Sequence, residues 1–404
     1  MTIRTAPAQP WKILFVTRVP ITAVRFVLPF ARRLRDCGHS VSFAFGPGEG
    51  LPEAQQSGFP STLLRMESRS SSLASVRVVS QLSQLIRHAR TDIVHTYSPV
   101  IGLYGRLAAW RAQAPVVIHS VLGSLLASGV PRSHRLLYLA SELATSRLVD
   151  LFITLNEADA RSMVKYRLTS ADKVTCLRHE YGVDLRQFDP AAVDRARLEQ
   201  LRTGLGLERG IPVIGFVGRT IGAKGILDLF EAYRLIRAGG TRAKLLFLGD
   251  VLTTDKDTAA LRTLRQLVAG AAFADDVRFL GFQQDVPLYL SLMDVVVEPS
   301  HHEGFPRIPV EAGAMGKPSV CTAVPGAEVA IEEGRTGLIV PIRDPRRLSE
   351  AVRKIIADPA LAREMGERAR RRVVELFDER AIVDQQLRIY QDFFSRKGAR
   401  PARA

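Results

Sequence analysis

Short apolar runs rich in valine, isoleucine and phenylalanine recur along the chain, and between them the apolar positions switch to the spacing of an amphipathic helix. In the first half the runs are Ile13–Thr17, Val41–Phe45, Ile93–His95, Val116–His119, Phe152–Leu155 and Val174–Leu177. In the second they are Val213–Val217, Leu245–Leu248, Val277–Leu280, Val295–Val297, Ser319–Cys321 and Leu338–Val340. A representative helical stretch places Phe26, Val27, Phe30, Ala31 and Leu34 on one face. Strands alternating with helices predict βαβ units and mostly parallel sheets. A break at Gly182–Pro190 and a charged connector running to Gly210 precede a second round of alternation, so the pattern predicts an α/β protein of two doubly wound domains. Their expected extents are 1–190 and 200–380, and their expected active site is a cleft at the carboxyl ends of the strands. Three helical segments follow Pro345, the last being Ala381–Phe394 with Ile382, Leu387, Ile389, Tyr390 and Phe394 apolar.

Composition narrows the picture. With 404 residues and 46% apolar content the chain can fill two cores. Cys37, Cys176 and Cys321 stand far apart without metal-ligand spacing, which predicts neither a disulfide framework nor a zinc site, and a reducing, cytoplasmic setting. The first ten residues read as neither signal peptide nor spanning helix, and the apolar region Leu136–Leu155 is interrupted by Glu142, Arg147 and Asp150. The net charge of +15 is uneven: residues 1–205 carry 26 Lys/Arg against 15 Asp/Glu, residues 206–404 carry 30 against 26. A basic first half suits an anionic partner, either a membrane surface met peripherally at its inner face or a diphosphate-bearing acceptor, or else is a set of solvated helix faces. Aromatics are only 7% and do not alternate with basic residues, so nucleic acid is not an expected partner.

The chemistry concentrates in two segments. Glu303-Gly-Phe-Pro-Arg-Ile-Pro-Val-Glu311 follows the run Val295-Val-Val-Glu-Pro299 and reads as strand, sharp turn and helix. A helix tolerates prolines such as Pro306 and Pro309 at its start, because first-turn N–H groups lack internal partners. Free N–H groups and the positive end of a helix dipole suit a diphosphate. The flanking carboxylates, Glu303 and Glu311, are at most about 12 Å apart along a helical rise of ~1.5 Å per residue, the reach of a nucleotide sugar from hexose to ribose. In Gly215-Phe-Val-Gly-Arg-Thr-Ile-Gly-Ala-Lys-Gly225 a strand ends in a loop carrying Arg219 and Lys224 before a helix, a cationic clamp for a diphosphate. The order of residues is not that of a P-loop.

These residues resemble glycosyltransferase family 4, retaining enzymes of the two-domain GT-B fold. The resemblance covers nearly the whole chain and rests most specifically on Gly218-Arg219 with Lys224, and on Pro299-Ser-His-His-Glu-Gly-Phe-Pro306 with Glu311. Leu280-Gly-Phe282, Pro325-Gly326, Thr336–Pro341 and Gly182-Val-Asp184 with Phe188 support it. It implies that the C-terminal domain binds a nucleotide sugar. Arg219 and Lys224 would hold the diphosphate beside Gly218, Glu303 would contact the donor sugar, and Glu311 the ribose. The backbone of Gly304, Phe305 and Pro306 would meet phosphate or sugar, and Phe282 would border the base. The final helix, within 381–404, would return to the N-terminal domain. The first half resembles the subgroup that builds polysaccharides and glycans on polyprenyl-diphosphate carriers, in Val94-His-Thr-Tyr-Ser-Pro99, Gly105-Arg106 and Leu155-Asn-Glu157 among others. The implied reaction is retaining transfer of a hexose from a nucleoside-diphosphate sugar to a glycan or lipid-linked acceptor, with no metal or other cofactor.

The first half also departs from the family. The loop Arg18-Val-Pro-Ile-Thr-Ala-Val-Arg25 lacks a glycine pair, leaving Arg18 and Arg25 either as acceptor contacts or as surface residues. Leu122 stands before Gly123 where the family has a histidine, and an apolar side chain neither hydrogen-bonds a hydroxyl nor moves a proton. His119 is then either a substitute catalytic group or a structural histidine, and His95 and Tyr97 are further acceptor-side candidates. His302, with His301, is a candidate donor-sugar contact or part of a solvent-facing turn. The alternative function that Leu122 raises is a nucleotide-binding subunit or regulator without catalytic competence.

Overall fold

The computed structural model describes residues 10–66, 72–121, 132–155, 157–177, 182–251, 255, 257–303 and 305–397. The chain divides into two compact units, residues 1–180 with 381–404, and residues 181–380. In the first unit β1 (Lys12–Thr17), β2 (Ser40–Phe45), β3 (Ser61–Leu63), β4 (Ile93–Tyr97), β5 (Val116–Val121), β6 (Leu151–Thr154) and β7 (Val174–Cys176) form a sheet of order β3-β2-β1-β4-β5-β6-β7. In the second, β8 (Val213–Val217), β9 (Lys244–Leu248), β10 (Val277–Phe279), β11 (Val295–Glu298), β12 (Ser319–Thr322) and β13 (Gly337–Val340) are ordered β10-β9-β8-β11-β12-β13. Every neighbouring pair is parallel.

The twelve apolar runs all appear as strands, with ends displaced by at most two residues. Only β3 gave no signal, because Ser61-Thr-Leu63 is three residues long and none of the three is buried. The runs are continuous rather than alternating because both faces of each sheet are covered. Along β1, Ile13 and Phe15 enter a core with Phe30, Tyr97 and Tyr390, while Leu14 and Val16 enter another with Leu82, Ile101 and Phe152. The second unit packs Phe216, Leu229, Tyr233, Phe247, Val297 and Val352 around its own sheet.

The last helix, Glu379–Lys397, supplies Val383, Leu387, Tyr390 and Phe394 to the first unit's core, where Phe394 lies 4.4 Å from Trp11 between ring centroids. Burial of side chains this large contributes roughly 1.5–3 kcal/mol each. The connector expected to run to Gly210 contains a helix, Arg195–Gly204, because Asp194 accepts from the N–H groups of Ala196 and Arg197 at 2.9 and 3.1 Å and so caps it. The segment 182–190 packs within the second unit: Val183 bridges to Asp378, and Arg370 donates to Asp189 at 3.0 Å.

In each sheet the strand order reverses once, between β1 and β4 and between β8 and β11. Loops leaving the carboxyl ends of those strands diverge to opposite faces and leave a crevice. Among the described residues no helix is long and apolar enough to cross a membrane.

Candidate active site

The loop after β8 and the loop after β11 meet at the second reversal point. Gly225 (φ +66°) ends the first loop, and a Cβ there would lie 2.0 Å from the Pro299 carbonyl oxygen, so only glycine permits this approach. The His301 N–H then donates to the Ala223 carbonyl at 2.9 Å, and the His301 ring bonds Asp228 on the following helix, Ile226–Ala238, at 2.7 Å. Gly249 (φ +128°) plays the same part beneath the loop's start, where a Cβ would lie 2.0 Å from the Gly218 carbonyl oxygen. Two loops clamped in this way carry their charged side chains into one small volume.

Lys224 is the centre of that volume. Its ammonium donates to Glu298 Oε1 at 3.3 Å and also to Glu303 Oε1. Ser300 donates to Glu303 at 3.1 Å and to Glu298 as well, while Thr322 from β12 donates to the Ser300 carbonyl. The Glu298 side chain is 1% exposed, those of Lys224 and Glu303 16% and 19%. Burial alone would lower the Lys224 pKa, but the two carboxylates outweigh it and hold the amine above its ordinary range, so Lys224 is a cation. Burial raises the Glu298 carboxyl, Lys224 opposes the shift and Glu303 reinforces it. Cys321, opposite Glu298 in the sheet register, is pushed up by burial first and then by both carboxylates.

The remaining donor-side candidates belong to the same unit. Arg219 bonds Asp255 at 2.6 Å, and Asp257 accepts from the Gly222 N–H at 2.9 Å. Helix Arg307–Ala314 starts at Pro306 with no side-chain cap, tolerates Pro309 in its first turn, and holds Glu311 against Arg307 at 2.8 Å. Phe305 is buried, His302 exposed, and Phe282 61% exposed beyond the Gly249–Gly281 bridge. Gly304 lies outside the described residues.

The first unit treats its candidates differently. His95 and Tyr97 point into the core, each 2% exposed, with rings stacked at 4.5 Å. His95 is bonded to Tyr390 at 2.6 Å and Ser120 at 2.9 Å, and burial lowers its pKa to about 3. His119, on the opposite sheet face, is 2% exposed, bonds Thr96 at 2.8 Å, and is kept neutral by burial and then by Arg106. Position at a strand end suggested exposure for His95 and Tyr97, whereas the pleat and covering helices bury them; of the two readings of His119 the structure supports the structural one. Arg18 and Arg25 are exposed. Without a glycine pair of its own, their loop is approached by Gly46 and Gly50 of the loop after β2, whose added Cβ atoms would lie 2.8 Å from the Arg18 carbonyl and 2.9 Å from Ile21. Leu122 and Gly123 lie outside the described residues.

Sequence reading missed Glu298, whose signal was a single carboxylate closing an apolar strand directly before Pro299. It also missed the pair Arg106–Glu142, fully buried and bidentate at 2.7 and 2.8 Å. Glu142 stood only as an interruption of an apolar stretch.

Two parallel sheets and a cationic loop facing an acidic loop at a strand-order reversal define a doubly wound α/β protein with a candidate ligand site at that reversal. Residues 199–372 match the family described as glycosyl transferases group 1, and residues 22–178 match the glycosyl transferase 4-like domain. The chain is 29% identical over 310 residues to the capsular polysaccharide biosynthesis glycosyltransferase CapM of Staphylococcus aureus, covering 76% of this chain and 79% of that one. It is 27% identical over 317 residues to the UDP-Gal:alpha-D-GlcNAc-diphosphoundecaprenol alpha-1,3-galactosyltransferase of Escherichia coli, covering 78% and 79%. HepE of Anabaena, solved in complex with UDP and glucose, superimposes with a TM-score of 0.81 at 20% identity over 94% of this chain and 99% of that one. The chain belongs to the glycosyltransferases of GT-B fold, and its pair of domains is in keeping with family 4. It is an enzyme of the transferase class.

Proposed function

We propose that the protein is a retaining glycosyltransferase that moves a hexose from a nucleoside-diphosphate sugar to a hydroxyl of a lipid-linked or polysaccharide-precursor glycan. The observation that carries this reading is the meeting of Lys224 and Glu303 where the strand order reverses. In support, HepE is described with UDP and glucose, and the E. coli relative is named for a diphosphoundecaprenol-linked acceptor.

The second unit would bind the donor and the first the acceptor. Lys224, Arg219 and the uncapped start of helix Arg307–Ala314 would face the diphosphate, with the backbone at Gly218, Phe305 and Pro306 close by. Glu303 would accept from hexose hydroxyls and Glu311 from the ribose. In the reaction the bond from the anomeric carbon to the diphosphate oxygen breaks as the bond to the acceptor oxygen forms on the same face. The acceptor proton passes to the departing phosphate oxygen, whose growing charge Lys224 and Arg219 balance. This assigns the proton transfer to the substrate itself, which fits a first unit whose candidate histidines, His95 and His119, are buried. With two cations in place the reaction needs no metal ion.

Transfer should therefore persist in excess EDTA, and strict Mg²⁺ dependence would sink the proposal. NMR of the product should show the donor's anomeric configuration. Lys224→Ala should lower kcat by about 10²–10³, the cost of removing a group that stabilises developing charge, while leaving thermal unfolding cooperative. The alternative of a non-catalytic regulator has no observation in its favour.

A further inference from the structure

The cationic clamp holds more carboxylates than cations. Lys224 is shared by Glu298 and Glu303, Arg219 is paired with Asp255, and Asp257 closes the same loop. Taken as ionised, this set presents two positive against four negative charges to a ligand that itself brings about two more. A diphosphate cannot settle there unless carboxylates withdraw or are neutralised, since like charges a few ångströms apart cost several kcal/mol even at a protein surface.

The carboxylates differ in what they can do. Glu303 stands in a loop with its side chain 19% exposed and can turn to the sugar hydroxyls. Glu298 is the last residue of β11, 1% exposed, with Ser300 and Lys224 on its Oε1 and its carbonyl accepting from Thr322 at 3.4 Å. It has nowhere to go, and an ionised carboxylate left buried without its cation is costly. Protonation is the remaining route, and Ser300 provides a hydroxyl able to accept from the new O–H. The titratable groups facing Glu298 are Lys224 from the loop after β8, Glu303 from the loop after β11 and Cys321 from β12, while His301 and Asp228 form the neighbouring pair.

Resting on the donor-site reading above, we infer that Glu298 takes up one proton from solvent when a nucleotide sugar brings its diphosphate to Lys224, and returns it when the nucleoside diphosphate leaves. Glu298 is thus a positioning residue: it holds Lys224 in the empty site and releases it, neutralised, to the ligand. Donor affinity should consequently weaken about tenfold per pH unit as pH rises above neutrality.

The test is calorimetric titration with UDP-glucose, GDP-mannose and ADP-glucose, in which the phosphates have no ionisation near neutrality, using two buffers of different ionisation enthalpy. The buffer dependence counts protons. Wild-type protein should take up close to one proton per ligand bound, and His301→Gln should do the same, whereas Glu298→Gln should bind with an uptake near zero. Binding by the wild type without net uptake would overturn the inference and leave the donor site standing, and this result needs no variant to fold. Retained uptake in Glu298→Gln, or its loss in His301→Gln, would also overturn it. Failure of all three nucleotide sugars to bind would overturn the reading of the site and the inference with it.

Discussion

Arg106 and Glu142 are both fully buried, and their two parallel hydrogen bonds are joined by others from Arg106 to Thr145 at 3.1 Å and to the Gly102 carbonyl at 3.1 Å. Removing one partner of such a pair leaves an uncompensated charge in the core, so Glu142→Gln should cost about 3–5 kcal/mol in urea unfolding. Histidines give the stability its pH dependence. The Trp11 N–H donates to Nδ1 of His39, which requires that nitrogen to be unprotonated, and burial lowers His39 to about 4 and His95 to about 3. Between those values and 6.5 the unfolded chain binds protons that the folded rings refuse. Stability is therefore complete above 6.5 and falls with acidification by about 1.4 kcal/mol per pH unit for each ring. Thermal unfolding from neutral to mildly acid pH should show the fall, and His39→Gln should make it shallower. At this scale the sequence showed which residue types cluster around Glu303 and Lys224. It could not show that both faces of β4 and β5 are covered up to their carboxyl ends, and so His95 and Tyr97 looked accessible when they are not, while His119 could be read either way.

Among the elements, strands were legible because parallel sheets bury both faces and need unbroken apolar runs. Helix starts were legible where an aspartate precedes a proline: Asp344 caps Pro345–Ile356 by accepting from the Arg347 N–H at 2.9 Å, and Asp358 caps Pro359–Leu376 at 3.0 Å. The docking of one loop on another was not legible, because it depends on backbone approach across 74 residues between Gly225 and Pro299. Gly225→Ala tests that docking. The new Cβ meets backbone rather than a yielding side chain, and the residue must keep a left-handed conformation that costs roughly 1–2 kcal/mol. The variant should unfold at lower temperature and lose at least about tenfold in nucleotide-sugar affinity, which corresponds to about 1.4 kcal/mol. Unchanged binding would mean that Lys224 reaches Glu303 without this contact.

For the molecule as a whole, the charge of +15 and its concentration in the first half make association with an anionic surface the natural expectation. The first unit also exposes Trp110, Leu136 and Leu143 on the helices Pro99–Ala112 and Arg132–Thr145. Sedimentation with anionic vesicles should capture the protein at low salt and release much of it at high salt, whereas neutral vesicles should leave it in solution. Absence of binding at both salts would remove the membrane from the account. The two-unit plan was readable from the restart of the strand pattern after Gly210, whereas the return of the helix Glu379–Lys397 to the first unit was implied only by the family resemblance.

That last fact governs the order of events during synthesis. Trp11, Phe30 and His95 leave the ribosome nearly 300 residues or more before Val383, Leu387, Tyr390 and Phe394, which close over them. At roughly 5–20 residues per second, the leading unit waits about 10–40 s with one wall of its core missing. The second unit holds its whole sheet within an unbroken stretch of chain and faces no such delay. The half that emerges first is thus the half that finishes last, and in the interval its bare apolar face is a natural target for chaperones.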